Sequence, residues 1–222
     1  MFRCATIGLL CFASLAGESL CGYENHAPWV SCFSESGEHW EGAKTVRTPT
    51  VVSTDGKLRA YAKIEARASG PLGCENTVRL FVKTRTSTSF RQVFMQTPSD
   101  LGGSANSLGP NSWSPDGRWL LVEFGHWSYF ADGGGTDIFL YDNKNGKIVS
   151  PDLARIIKTT LRRECSIGLV KVIGFDAFSR VHLKLADDTE GEDQPITHCF
   201  HEAQEWVLDP GTETIQLISA HL

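Results

Sequence analysis

The chain has 222 residues, 41% hydrophobic and 21% charged, which supplies a real core and excludes wholesale disorder. Its formal net charge of −5, with no basic run, argues against a nucleic-acid partner. The 21 glycines and the 10% aromatic content point to an all-β chain with many turns.

Met1, Phe2 and Arg3 form a short cationic start, residues 4–16 are apolar, and Ser14 and Ala16 are small residues at the −3 and −1 positions of a cleavage site. This reads as a secretory signal peptide over 1–16, with cleavage as late as about residue 21. The apolar stretch is too short for a comfortable membrane-spanning helix and no other long apolar span follows, so no transmembrane span is expected. Cleavage leaves Cys21, Cys32, Cys74, Cys165 and Cys199, which can oxidise in an exported protein. No Cys-x-x-Cys pair occurs, so the spacing is not that of a zinc site. Cys165 is expected to pair with Cys199, because Cys199 opens the strand partnering the one after Cys165. Cys74 pairs with Cys32 or Cys21.

Residues 22–45 are polar, contain Trp29 and Trp40, and read as an irregular arm or one extra edge strand. From residue 46 a repeat begins. Val51 to Leu58, with Asp55-Gly56 at its turn, parallels Trp113 to Trp119, with Asp116-Gly117; the two glycines are 61 residues apart. A degenerate copy lies at Asp176 to Val181. Strands are expected at 58–64, 78–82 and 92–95, at 119–124, 138–141 and 147–149, and at 181–185, 206–208 and 215–218. With a strand before each turn, these make three antiparallel four-stranded meanders, at about 46–98, 108–150 and 165–219. Asp-Gly and Asn145-Gly146 suit their hairpins because they accept φ > 0. Residues 151–163 place Leu153, Ile156, Ile157 and Leu161 at helical spacing, with Ser150 as N-cap and Pro151 in the first turn.

Trp113-Ser114-Pro115-Asp116-Gly117-Arg118-Trp119-Leu120, followed by Thr136-Asp137-Ile138-Phe139-Leu140-Tyr141-Asp142, resembles the WD-repeat-like blades of TolB-type β-propellers. The resemblance implies propeller-like blades and, loosely, binding to proteins of the cell envelope; it carries over no catalytic residue. The chain departs from that pattern in having three recognisable units, where closed propellers have at least four. Strands 119–122 and 138–141 are apolar at consecutive positions, which predicts burial on both faces. The strand at 58–64 alternates, with Leu58, Ala60, Ala62 and Ile64 opposite Arg59, Tyr61 and Lys63, and the strand at 181–185 does the same. An incomplete three-bladed stack follows, middle sheet buried and end sheets wet. Two copies closing a ring would press mostly cationic faces together, so a monomer is expected.

Three long gaps fall on one rim, at 66–76, 125–136 and 186–203, and loops on a rigid scaffold are where binding collects. In the second gap His126, Trp127, Tyr129, Phe130 and Asp132 form a glycine-flanked aromatic loop suited to a peptide, a glycan or an envelope protein. Alternatively that loop folds back and caps the edge. His198, His201 and Glu202 are the nearest approach to a metal site, and a metal-dependent hydrolase using 198–202 is the alternative function. Positions three apart on a strand face opposite ways, so those histidines converge only in a turn. The glycine run 133–135 precedes no helix and suits no phosphate. No cofactor is implied. The expectation is an exported, periplasmic or extracellular, non-enzymatic binding or scaffold module.

Overall fold

The computed structural model describes residues 27–32, 43–69, 73–97, 104–128, 134–187, 199–200 and 202–218. The expected signal peptide, with Cys21, lies outside them. Among the described residues, three antiparallel sheets and one helix make up the fold.

The first sheet contains β1 (Ala43–Arg47), β2 (Val51–Val52), β3 (Arg59–Ser69), β4 (Gly73–Lys83) and β5 (Arg91–Gln96), in the order β1-β3-β4-β5 with β2 also on β3. β1 and β2 together fill one edge position, so the end of the expected arm is an edge strand. Between them Thr48 keeps the ladder going: its N–H donates to the Ala62 carbonyl at 3.0 Å, and its hydroxyl accepts from the Ala62 N–H at 2.9 Å. Pro49, which has no N–H to donate, is tolerated at an edge.

The middle sheet is a meander of β6 (Ser104–Trp113), β7 (Trp119–Ser128), β8 (Gly134–Asp142) and β9 (Lys147–Val149). The third is a meander of β10 (Ile167–Phe175), β11 (Val181–Asp187), β12 (Gln204–Asp209) and β13 (Thr214–Leu217). Most strands outrun the sequence expectation, because the apolar signal stops before the ladder does. The β3–β4 hairpin pairs from Arg59↔Lys83 out to Ser69↔Gly73, which absorbs most of the gap expected at 66–76.

Parity along the strands decides the packing. On β7, Leu120, Val122 and Phe124 join Ala60, Ala62, Ile64, Val78, Leu80 and Val82 of the first sheet in one core cluster. Trp119 and Leu121 point the other way and join Val172, Val181, Leu183, Leu185 and Trp206 of the third. The middle sheet is therefore buried on both faces, as consecutive apolar residues require. A polar exception sits within it: Glu123 is fully buried and accepts from Asn111 Nδ2 at 2.8 Å.

The helix α1 (Leu153–Leu161) joins the middle and third sheets and buries Ile156 and Ile157 in the second cluster. Its N-cap is Asp152, whose carboxylate accepts from the Arg155 N–H at 2.9 Å, and not Ser150. Asp152 is three residues before that amide, the reach an N-cap side chain needs, and Pro151 stands outside the first turn.

The first two Asp turns are superimposable in their bonding. Ser53 and Ser114 each donate to the following aspartate, at 2.7 and 2.5 Å, and each hydroxyl accepts a backbone N–H, from Leu58 and Trp119, at 2.9 Å. In the third turn one residue does both jobs: the Asp176 carboxylate accepts from the N–H groups of Phe178 and Arg180, both at 2.9 Å. Ser179, at φ 63, takes the left-handed position that glycine holds in the other two.

Candidate functional site

His126 and Trp127, expected in a loop, lie on β7, and the connection to β8 shrinks to residues 129–133. Tyr129, Phe130 and Asp132 lie outside the described residues. The hairpin continues because glycines face the large side chains: Trp127 pairs with Gly134 and His126 with Gly135. A Cβ on Gly135 would stand 2.9 Å from His126 Cε1, and one on Gly134 would stand 2.8 Å from the His126 carbonyl oxygen. Gly134 and Gly135 serve close approach rather than flexibility.

Trp127 is buried, at 7% exposure, and its ring is covered by Trp29. The two ring centroids are 3.8 Å apart with planes 19° from parallel, and Trp29 itself is 65% exposed. The exposed aromatic surface expected of the rim loop is thus supplied by the arm. Three ties hold it there. Cys32, buried, is bonded to Cys74 of β4. The fully buried Asn76 donates through Nδ2 to the Val30 carbonyl at 2.8 Å and to the Asn106 carbonyl at 3.2 Å. Ser107 Oγ donates to the Pro28 carbonyl at 2.6 Å. Val30 and Cys32 turn into the core while Trp29, between them and Pro28, turns outward. Trp29 was legible in sequence only as an isolated aromatic in a polar stretch; its seat on Trp127 was not.

His126 is half-exposed, and its Nδ1 stands 3.7 Å from Asp137 Oδ2. Neighbouring residues of a strand point to opposite faces, so His126 does not share the Trp29–Trp127 face. The His126 ring lies instead against Phe124, with ring centroids 6.2 Å apart. His126 and Asp137 are also among the residues bordering a cleft of about 640 Å³ between β8, the start of α1, β10 and the end of β11. Ile138, Leu169 and Leu185 are among its apolar lining, and Asp152 and Asp187 are its other carboxylates. Both have structural duties. Asp152 caps α1, and Asp187 accepts from the N–H groups of Cys199 and Phe200 at 2.9 to 3.2 Å. That clamp fixes Cys199, which is bonded to Cys165 as expected.

Of the expected metal residues, His198 and His201 lie outside the described residues and Glu202 is exposed. Among the described residues, no group of three His, Cys, Asp or Glu side chains is placed to hold a metal ion. No described helix is long and apolar enough to cross a membrane.

No protein-family model matches the chain. No curated protein matches it either. Among solved structures, one that does match is a puromycin hydrolase mutant complexed with PGG, at 11% identity over 79% of this chain and a TM-score of 0.26. This chain spans 29% of that protein. A likeness at that score assigns neither blade arrangement nor activity.

Proposed function

We propose that the protein is an exported, non-enzymatic binding module of the cell envelope, built of three propeller-like blades in an incomplete stack. Its recognition surface is Trp29 seated on Trp127, and its ligand is an envelope protein, a peptide or a glycan. The observation that carries this reading is the 65% exposure of an indole whose other face is stacked and whose flanking backbone is tied to both sheets. A rigid exposed ring loses little conformational freedom on binding, so the apolar area it offers converts efficiently into affinity. Two disulfides support an oxidising, extracytoplasmic home.

Screening the purified protein against glycan and peptide arrays, beside Trp29→Ala, tests the reading. Trp29→Ala is expected to weaken the best ligand at least tenfold with little change in melting temperature, since the side chain is mostly solvent-facing. Unchanged binding in Trp29→Ala would sink the Trp29 platform. Stoichiometric zinc in the purified protein would move the reading to a metal-dependent hydrolase.

A further inference from the structure

The outward face of the first sheet carries a charge opposite to that of the chain. Strand register places Arg47 beside Lys63, Lys63 beside Arg79, and Arg59 beside Lys83, with Arg67 further along β3. Among the described residues, the carboxylates on that face are Glu65 and Glu75. Six cations against two carboxylates give the face a net +4, in a chain whose total is −5; the remainder is −9. Like charges directly opposite one another destabilise a sheet. Here three such pairs share one face, in two rows separated by Tyr61 and Phe81.

The face holds its cations out. The Arg47 guanidinium lies 3.8 Å above the Tyr61 ring, and Tyr61 stacks on Phe81 at 5.0 Å. The aromatics are therefore a floor under the charges. Glu65 sits between Arg79, at 2.9 Å, and Arg67, at 3.8 Å. The cations cover an area: neighbouring strands are about 4.8 Å apart, and Arg59 to Arg67 spans roughly 27 Å along β3. Each cation row also ends in an exposed apolar side chain, Met95 beside Arg79 and Val52 beside Arg59.

We propose that this face docks on the surface of an anionic lipid bilayer. A two-dimensional array of cations matches a two-dimensional array of headgroup phosphates, whereas a linear soluble polyanion would be met by a single line. Met95 and Val52 add apolar groups at the edges, which a bilayer interface takes up and a soluble polyanion does not. Each cation close to an anionic leaflet raises partitioning about fivefold.

Vesicle co-sedimentation of the purified protein, at low and physiological salt, tests this with phosphatidylcholine alone and with a phosphatidylglycerol mixture. Binding is expected to the anionic vesicles only and to fall with salt. The double reversal Lys63→Glu/Lys83→Glu is expected to cut it at least thirtyfold. Both reversals convert like-charge cross-strand pairs into opposite ones, so the fold is retained, which circular dichroism checks. Lys144→Glu/Lys147→Glu changes net charge equally on the middle sheet and is expected to leave binding within a few-fold. No binding to anionic vesicles at low salt, or equal loss in both double variants, would overturn the proposal. So would retention on heparin beads without vesicle binding, which assigns the face to a soluble polyanion.

Discussion

Gly56 and Gly117 take the same left-handed backbone, at φ +73 and +70, yet one added carbon meets different surroundings at each. At Gly56 nothing lies within 4 Å; at Gly117 a Cβ would stand 3.1 Å from Leu58 Cδ1, on a side chain buried in the first core cluster. Gly56→Ala is expected to cost about 1 kcal/mol, from φ alone. Gly117→Ala is expected to cost about 2 kcal/mol or more, because Leu58 has to give way as well. Urea unfolding midpoints measure the difference; equal losses would mean that Leu58 yields freely. These glycines were legible in sequence because Asp-Gly is the dipeptide such turns demand. Gly134 and Gly135 were not. A residue without a side chain contributes nothing to an alternation, so a strand that needs glycine for close approach reads as a gap.

The three Asp turns act as elements, and their carboxylates set how the fold responds to acid. At Asp55 the Ser53 hydroxyl, then the Lys57 amide, hold the carboxyl below its ordinary value. Burial pushes Asp116 up, but the Ser114 hydroxyl, the Arg118 amide and the Ser179 hydroxyl outweigh it and leave the group below its usual 3.8. Burial likewise opposes the Arg180 and Phe178 contacts at Asp176, and again loses. A carboxylate whose folded-state value is depressed binds fewer protons folded than unfolded across the interval between the two values. Its contribution is therefore complete above about 3.8 and drains away as the pH falls through the lower folded value. The unfolding midpoint is expected to fall below that pH, and Asp116→Asn is expected to be less stable at neutrality and to lose less on acidification. A parallel pH profile in the variant would refute the assignment. The third turn escaped the clean Asp-Gly pattern because Asp176 itself replaces the serine.

On the scale of the whole molecule, the middle sheet has no free face, while the outward face of the first sheet repels its own kind. Two copies meeting through it would bring together two net +4 surfaces, so light scattering behind a sizing column is expected to return a monomer at micromolar concentration. A dimer mass would contradict that expectation.

Side-chain alternation and turn chemistry are local, and they suffice for three antiparallel meanders, for a middle sheet apolar on both faces and for the cationic outer positions of β3. The Cys165–Cys199 pairing was expected on the ground that the strands after the two cysteines are partners. The bond is there, but β11 lies between β10 and β12, and the Asp187 carboxylate at the end of β11 is what holds Cys199 in place. The seat of Trp29 was decided elsewhere. It depends on Asn76 reaching Val30 across 46 residues of sequence and on Ser107 reaching Pro28 across 79. No periodicity along a chain encodes contacts of that range; they exist only once the first two sheets have packed and Cys32 has found Cys74. The cationic array was likewise half visible, as one alternating strand. Strand pairing placed Arg47 and Arg79 on either side of Lys63, and register is a property of the sheet rather than of any strand in it.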